Sequence, residues 1–358
     1  MKVSTSALNA ALQKASKGVG NNKLIPLSTL IGIVAHDGVL SIYATDGTTF
    51  LEIKGVCENS DDFRVAVNAS KFVSLISRLT CDTVSLNITN RGLEVVGNGK
   101  YVIEIPIDES GTPVNFPNPV QCVDSKPVED GVWTVSDIQT LKTTLVPAVA
   151  TTLEVPCYCN VYIGETAVAT DTYKIAALQK QLLANPVLIA SHVFNLLAMA
   201  HEDVGFSIYS DGQAVFKNDA LTIHTHVFDV DEYAISEISA LIEADYPYEC
   251  VVSKQELLSV LDRCALFNNP YDNNAIEISF DEGSLCVSNR KLTVKEEIPY
   301  VDVNSRGGQK CTLDIVMLTA QIKAYAWDRL TIQYGRQDSM KLVNTADSTV
   351  QIISLVED

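Results

Sequence analysis

Apolar residues recur at helical spacing in six segments of the chain, which form two sets of three. In each segment the apolar positions follow the i, i+3, i+4 pattern of an amphipathic helix. The first set opens on a serine, which favours the N-cap position, so we expect serine caps at Ser6, Ser136 and Ser253. The segments of the second set begin at Ser70, Ser191 and Asp314. The members of each set are separated by similar lengths of chain, which predicts one structural unit repeated three times.

Strand patterns occupy the same two places in each third of the chain. Between the helices, apolar and polar residues alternate around a turn, and the tripeptide Ala-Thr-Asp occurs both at residues 44–46 and at 169–171. After the second helix, alternating apolar residues flank a Gly, Asn or Asp turn, which is typical of an antiparallel hairpin. We expect these hairpins at residues 84–96, 205–216 and 330–343. Each third is thus predicted to run helix, strands, helix, strands.

The repeat predicts an α+β fold made of three domains, each an antiparallel sheet covered by two helices. We place these domains at residues 1–120, 128–243 and 247–358. Linkers are expected in the proline-rich stretch 113–127 and in the acidic stretch 243–247. A chain of 358 residues is long enough for two or three domains of ordinary size.

A row of three such domains leaves an unpaired strand edge at each end, and exposed edges invite pairing with another chain. Two copies joined head to tail around a twofold axis would close both edges. The sheets would then form the outer wall of a ring and the helices would line its hole. The charges agree with this arrangement, because the six helical segments together carry a small net positive charge while the whole chain carries −18. Any contact with nucleic acid is therefore expected on the helices.

Several classes of protein find no support in the sequence. The first residues contain no apolar core of a signal peptide, and no long apolar run predicts a membrane span, so we expect a cytoplasmic protein. The nine cysteines are scattered, which favours reduced thiols over a disulfide framework. Cys157 and Cys159, like His224 and His226, lack a second ligand pair at metal spacing. We predict no cofactor, no metal and no catalytic residue.

Short sequences in the first third resemble one known family. They are Leu-Ile-Pro-Leu at residues 24–27, Ala-Thr-Asp at 44–46, Val-Asn-Ala-Ser-Lys-Phe at 67–72 and Phe-Pro-Asn at 116–118. The chain resembles the bacterial DNA polymerase III beta subunit, the beta sliding clamp family, in the same order over essentially its whole length. The resemblance implies the DNA clamp fold and a three-domain protomer that dimerises into a ring around duplex DNA. Such a protein is a non-enzymatic processivity factor in DNA replication.

The resemblance also implies a pocket for a short linear peptide carried by DNA polymerases and the clamp loader. Its predicted walls are formed by Tyr158, Cys159, Thr170, Thr172, Tyr173, Lys174, Ile175, Ile352, Ile353, Ser354 and Leu355. Apolar side chains flanked by a few polar groups suit a peptide anchored by its own apolar residues. The chain has Thr-Tyr-Lys at residues 172–174 where the family usually has Gly-His-Arg, and its tail is acidic. Such departures suggest a divergent, phage-type or mobile-element clamp with its own partners.

Two further sets of residues follow from the resemblance. For the dimer interface it places Tyr101 against Leu266 and Phe267 of the other copy, an aromatic and aliphatic contact beside paired strand edges. The DNA-facing candidates are Lys14, Lys17, Lys23, Lys71, Arg78, Lys142, Lys254 and Lys323. These cations would meet phosphates and not base edges, so binding would lack sequence preference and would depend on salt.

Two other hypotheses stay open at the level of the sequence. In the first, the protein has the clamp fold but serves only as a peptide-binding scaffold, and its ring does not encircle DNA. An enzyme on a repeated α+β frame would need a cluster of perturbed carboxylates or histidines in one cleft, and the sequence offers no such cluster. Neutralising the cations of the helices distinguishes the sliding clamp from the scaffold, since only a clamp needs these cations to hold DNA.

Overall fold

The computed structural model describes residues 1–22, 24–57, 62–117, 126–267, 274–305 and 307–356. These residues form two compact units. Unit 1 comprises residues 1–135 and 195–227, and unit 2 comprises residues 136–194 and 228–358. Helices and antiparallel sheets occur in both, so the predicted α+β class is confirmed.

Helices occur in all six predicted segments, and a further helix at Ile235–Glu243 was not predicted. The strands are β1 (Lys2–Ser4), β2 (Leu30–His36), β3 (Val39–Thr45), β4 (Phe50–Val56), β5 (Phe63–Asn68), β6 (Thr83–Thr89), β7 (Gly92–Val96), β8 (Lys100–Ile103), β9 (Glu129–Trp133), β10 (Asn160–Ile163), β11 (Ala167–Thr170), β12 (Lys174–Leu178), β13 (Val187–Ala190), β14 (Val204–Ile208), β15 (Gln213–Lys217), β16 (Leu221–Phe228), β17 (Tyr248–Ser253), β18 (Ala275–Phe280), β19 (Ser284–Asn289), β20 (Lys295–Pro299), β21 (Asp302–Ser305), β22 (Lys310–Asp314), β23 (Arg329–Tyr334), β24 (Ser339–Asn344) and β25 (Thr349–Ser354). The α-helices are α1 (Thr5–Ala15), α2 (Ala69–Ile76), α3 (Val135–Thr140), α4 (Ser191–Leu197), α5 (Ile235–Glu243), α6 (Lys254–Ala265) and α7 (Ile315–Ala324).

Polar side chains cap the helices where each strand runs directly into a helix. Ser253 accepts from the backbone N–H of Glu256 and caps α6, so that predicted cap is confirmed. The predicted cap at Ser6 is wrong, because α1 begins earlier and Ser4 accepts from the N–H of Ala7. The predicted cap at Ser136 is also wrong, since α3 already begins at Val135.

One long antiparallel sheet crosses unit 1 and includes strands from two of the predicted thirds. Its order is β5-β2-β3-β4-β16-β15-β14-β9. The join between the thirds is the pair β4–β16, in which Phe50 lies opposite His224. A smaller sheet, β1-β6-β7-β8, completes this unit.

Unit 2 contains a sheet of the same design. Its order is β13-β10-β11-β12-β25-β24-β23-β17-β21. The join between the second and third thirds is the pair β12–β25, in which Ile175 lies opposite Ile352. The separate sheet β20-β19-β18-β22 belongs to the last third. The same antiparallel join therefore occurs twice along the chain.

Alternating strand residues and the apolar faces of the helices form the cores. In the last third, one buried cluster joins Leu257 and Leu261 of α6, Leu318 and Ile322 of α7, and the inner faces of the sheets. Burial of such side chains is the main force that holds helices to sheets. None of the helices in the described part of the chain is both long and apolar enough to cross a membrane.

Candidate functional site

A tight turn at residues 170–174 forms one predicted wall of the peptide pocket. The Thr170 hydroxyl donates to the carbonyl oxygen of Lys174 over 2.8 Å. The Asp171 carboxylate accepts from the backbone N–H groups of Tyr173 and Lys174, at 3.0 and 2.9 Å. Short side chains that bind their own backbone are the usual cause of such turns.

Thr172 lies at the tip of this turn in a left-handed conformation, with φ of 80°. This region favours glycine, and a β-branched residue there carries strain. The first third contains the same turn, in which Thr45 donates to the carbonyl oxygen of Thr49 and Asp46 accepts from the N–H groups of Thr48 and Thr49. At the position of Thr172 that turn has Gly47, with φ of 100°. The glycine of the family pattern is absent at residue 172, but the backbone that calls for it is kept.

The two residues after Thr172 differ sharply in exposure. The Tyr173 side chain is 63% exposed and projects an aromatic ring from the turn. The Lys174 ammonium is 2.8 Å from the Asp171 carboxylate, and the two side chains are only 15% and 20% exposed. Lys174 is therefore largely neutralised within the protein, while Tyr173 is free to contact a partner.

The second predicted wall is the next strand of the same sheet. Lys174 lies opposite Ile353 and Ile175 opposite Ile352 in the pair β12–β25. At the end of β25, the N–H of Ser354 donates to the carbonyl oxygen of Tyr173, at 2.9 Å. The structure thus brings the turn and the C-terminal strand together, with Ile352 and Ile353 buried and Ser354 and Leu355 partly exposed.

Helix α5 and Tyr233 cover this sheet, and neither was predicted from the sequence to take part in the site. Tyr233 and Ile238 are buried in one cluster with Ile175 and Ile352. The Tyr233 hydroxyl donates to the carbonyl oxygen of Val168 over 3.2 Å, and burial raises the pKa of this phenol well above its ordinary value. Apolar residues at 235, 238, 241 and 242 were a detectable helical signal.

Lys341 fixes the C-terminal end of α5. Its ammonium donates to the carbonyl oxygens of Ile242 and Ala244, at 2.7 and 3.4 Å, and lies 5.3 Å from the centre of the Tyr246 ring. A cation at a helix C-terminus satisfies carbonyl groups that lack partners within the helix. Burial lowers the pKa of Lys341, an effect that the charge of Asp245 opposes. The helix that covers the sheet is therefore anchored at this end.

Tyr158 and Cys159 lie on a short 3-10 turn, Pro156–Cys159, next to Tyr233. The rings of Tyr158 and Tyr233 meet edge to face, with 5.1 Å between their centres. The Cys159 thiol donates to the carbonyl oxygen of Thr152, at 3.3 Å. Across the residues that the structure describes, no group of three His, Cys, Asp or Glu side chains is placed to hold a metal ion.

The DNA-facing candidates of unit 1 lie on or just beyond two helices that pack against each other, α1 and α2. Neither helix contains an Asp or a Glu. Lys17, Lys71 and Arg78 are exposed and Lys14 is half-buried. The Arg78 guanidinium donates to the carbonyl oxygen of Ser74, at 3.0 Å. Lys23 lies outside the described residues.

The remaining DNA-facing candidates belong to unit 2. Lys323 is exposed near the end of α7. Lys142 lies in a π-helical turn, Leu141–Leu145, that packs against α7. Lys254 differs, because its ammonium donates to the carbonyl oxygen of Tyr325 and its burial lowers its pKa. Its charge is thus partly committed to the end of α7.

The predicted dimer-interface residues are exposed apolar side chains. Tyr101 on β8 is 37% exposed, and Leu266 and Phe267, directly after α6, are 81% and 54% exposed. In the described part of the chain, β8 pairs only with β7, and β20 pairs only with β19. Each of these two strands therefore has one open edge.

Comparison with known proteins supports the same family. Residues 1–111 match the family DNA polymerase III beta subunit, N-terminal domain. No curated protein matches the sequence. Among solved structures, the DNA polymerase sliding clamp from Bacillus subtilis is similar at 19% identity, with 100% of this chain and 98% of that chain covered and a TM-score of 0.83.

Two other solved clamps show the same extent of similarity. The DNA polymerase III beta chain of Streptococcus pneumoniae is 15% identical, with 100% and 99% of the chains covered and a TM-score of 0.83. The sliding clamp of Pseudomonas aeruginosa bound to griselimycin is 16% identical, with 100% and 99% covered and a TM-score of 0.84. The first 111 residues of this chain match the DNA polymerase III beta subunit family, and the whole chain has the fold of the bacterial sliding clamps.

Proposed function

We propose that this protein is a DNA sliding clamp, a processivity factor without catalytic activity that encircles duplex DNA and tethers the replicative polymerase. It would act in the cytoplasm as a homodimeric ring, each protomer having domains at residues 1–120, 128–243 and 247–358. The observation that carries the proposal is the repeated join between sheets. This join occurs twice along the chain, and the two strands for a third join, β8 and β20, each have one edge without a partner among the described residues.

The two joins made within the chain have the same form. Each pairs the strand that follows the Thr-Asp turn of one third with the last hairpin strand of the next third, as β4–β16 and β12–β25. In the same scheme β20 is the strand after the turn of the last third, and β8 is the last hairpin strand of the first third. Pairing β20 with β8 of a second copy would therefore repeat the join.

A second copy related by a twofold axis makes this contact twice and closes both open edges. Exposed apolar residues flank the edges, with Tyr101 on β8 and Leu266 and Phe267 after α6. Covering them in the dimer removes apolar surface from water, which supports their role as the interface. Closure also removes two edges that otherwise favour aggregation.

The charges of the helices support a role on DNA. Helices α1, α2 and α7 contain lysines but no acidic residue within their bounds, although the chain as a whole carries a charge of −18. Cations of this kind would contact phosphates without sequence preference. A closed ring remains on DNA by topology, so it needs only weak contacts, and an acidic outer surface does not prevent its function.

The pocket residues of unit 2 support a role in partner binding. We propose that DNA polymerase and the clamp loader bind there through a linear peptide, with Tyr173 and Leu355 among the side chains available to it. Griselimycin, which is bound in the solved Pseudomonas aeruginosa clamp, is a suitable probe of this proposal. Tyr173→Ala and Leu355→Ala should weaken its binding to this chain without changing the dimer.

The first experiment is the mass of the native particle by light scattering over a dilution series. A mass near twice 38.9 kDa that resists dilution would support the ring. Tyr101→Asp and Leu266→Asp should each give monomers, because a charge would enter an apolar contact, while Val39→Asp at another exposed site should leave the dimer intact. A stable monomer in the wild type would contradict closure without a loader.

The second experiment tests the topological link to DNA. Protein loaded on circular duplex DNA by its loader should be retained after a salt wash and should be lost once the circle is cut. The triple variant Lys71→Gln, Arg78→Gln and Lys142→Gln should reduce loading or retention several-fold. If the dimer forms but the circle retains nothing, and the triple variant behaves as the wild type, the protein is a clamp-fold scaffold that does not encircle DNA.

A further inference from the structure

A cleft of about 570 Å³ opens in unit 2 beside the 3-10 turn that contains Tyr158 and Cys159. Its lining includes the buried side chains of Cys157 and Leu188. It also includes Leu153 and Phe228, which are 79% and 52% exposed. Two large apolar side chains held in water at the edge of an apolar cleft are typical of a binding surface.

Carboxylates border the same cleft. Asp229, Asp231 and Glu232 belong to its lining and are exposed. Residues 228–247 contain no Lys or Arg, and their acidic residues are Asp229, Asp231, Glu232, Glu237, Glu243 and Asp245. The segment that runs along the cleft and forms α5 therefore carries only negative charge.

The cations near this segment are already engaged inside the protein. Lys174 forms an ion pair with Asp171 at 2.8 Å. Arg336 forms two hydrogen bonds with Asp338, at 2.9 and 2.7 Å. The Lys341 ammonium donates to carbonyl oxygens at the end of α5. None of these three cations pairs with Asp229, Asp231 or Glu232 in the described part of the chain, so the electrostatic potential of the cleft is negative.

We propose that this cleft binds a lysine- or arginine-rich segment that carries an apolar anchor. Its apolar side chain would fill the space between Leu153 and Phe228, and its cations would meet Asp229, Asp231 and Glu232. Burial of the anchor supplies affinity, and the opposite charges supply selectivity and a faster encounter. The identity of the partner that carries this segment rests on the proposed function: it is the protein whose linear peptide occupies the neighbouring pocket.

The test uses the full chain and three labelled synthetic peptides. One alternates lysine with Leu and Phe, as Lys-Leu-Lys-Phe-Lys-Leu-Lys, and the other two replace each lysine by glutamine or by glutamate. Fluorescence anisotropy should show saturable binding of the lysine peptide, weaker binding of the glutamine peptide and none of the glutamate peptide. The affinity should fall as salt is raised, because exposed charges are screened.

Two variants locate the binding. The triple variant Asp229→Asn, Asp231→Asn and Glu232→Gln should lower the affinity for the lysine peptide about tenfold, the sum of three modest surface pairs. Leu153→Ser should lower it for all peptides that bind. The control variant Glu109→Gln, Glu202→Gln and Asp219→Asn changes three exposed carboxylates of unit 1 and should have no effect.

The proposal is overturned if the lysine peptide does not bind, or if the control variant weakens it as much as the cleft variant does. The second result would mean attraction to an acidic protein and no defined site. Failure of the proposed function has a different signature, namely loss of griselimycin binding or of retention on circular DNA with peptide binding intact. The cleft would then be a basic-segment site on a protein that is not a clamp.

Discussion

Two copies of one turn, in different thirds of the chain, show what the repeat keeps and what it changes. In residues 45–50 and 170–175 the same Thr hydroxyl and the same Asp carboxylate bind the backbone, and the next strand joins the neighbouring third in the same way. The tip of the turn differs, because Gly47 is replaced by Thr172 while φ stays positive. Hydrogen bonds within the turn thus hold the backbone even where the side chain opposes it.

The covers over the two sheets differ more than the turns do. In the first copy, the Phe116 ring lies over Gly32, where a Cβ atom would come within 2.7 Å of it. In the second copy, Tyr162 stands on the equivalent strand, and Tyr233 and α5 form the cover. A closed apolar cover contributes to stability alone. A helical cover that is preceded by an acidic segment leaves surface available to a partner. Under the proposals above, the same architecture carries a structural role in one copy and a binding role in the other.

The largest expected effect is the removal of the first cover. Phe116→Ala should lower the free energy of unfolding of unit 1 by about 3–5 kcal/mol, because a fully buried aromatic ring is lost and a cavity remains. Denaturant unfolding, with hydrogen exchange followed by mass spectrometry, would show increased exchange in β2 and β5 and none in β12 and β25. Equal exchange in both sets of strands would show that the two covers do not act separately.

The next effect concerns the turn of the first copy. Gly47→Thr should destabilise unit 1 by about 1–3 kcal/mol, the cost of a non-glycine residue at a positive φ. A Cβ at this position would also approach Cδ1 of Ile25 to 2.8 Å, which requires that flexible side chain to move. Thermal unfolding of the variant measures the change. An unchanged melting temperature would mean that the hydrogen bonds of the turn absorb the strain at no cost.

The reciprocal substitution should have the opposite sign and a smaller size. Thr172→Gly should raise the free energy of unfolding by about 1 kcal/mol, since relief of strain exceeds the entropy that glycine adds to the unfolded chain. The same denaturant series reports it, with Thr170→Ser as a control that keeps the hydroxyl. A loss of stability would imply that the Thr172 side chain makes a contact worth more than its strain.

The smallest effect is a difference in the pH dependence of local stability between two strand ends, at Leu355 after β25 and at Val227 in β16. Hydrogen bonds from Arg336 lower the pKa of Asp338 to about 2. The carbonyl oxygen of Asp338 accepts from the N–H of Leu355, and in the second third Gly212 accepts in the same way from Val227. Because the folded pKa lies below the ordinary value, the stabilisation is complete above the unfolded pKa and is lost as pH falls through about 2.

Hydrogen exchange corrected for the intrinsic rate would measure this difference. As pH is lowered from 5 towards 2, protection of the amide of Leu355 should fall before that of Val227. Asp338→Asn should remove the difference, since asparagine does not titrate. Parallel loss at both amides in the wild type would contradict a role for the Arg336 and Asp338 pair.

Much of the fold was predictable because its causes are local. Helix α6 was placed correctly with its cap, since Ser253 and the apolar spacing that follows act within a few residues. The hairpin β6–β7 followed from alternation around a turn. Helix α5 was missed because residues 235–242 were assigned to no element, and only its last residue, Glu243, fell within the predicted linker 243–247. The caps of α1 and α3 were misplaced by one or two residues where a strand enters the helix.

The candidate site was only partly predictable. The turn residues and the C-terminal strand were named, and the structure pairs Ile175 with Ile352. Tyr233 and Lys341 were not named, because nothing near them in the sequence shows that one donates to Val168 and the other to the end of α5. Their importance comes from partners far along the chain.

Apolar periodicity and the hydrogen bonds of Thr and Asp act over a few residues, so the local elements and the repeated turn follow from short stretches of sequence. The pairing of β12 with β25, the burial of Phe116 beside the exposure of Phe228, and the contact of Lys341 with α5 are set by the folded chain as a whole. Those outcomes depend on contacts between residues distant in sequence. Such contacts form only when many elements pack at once, so no short stretch of sequence encodes them.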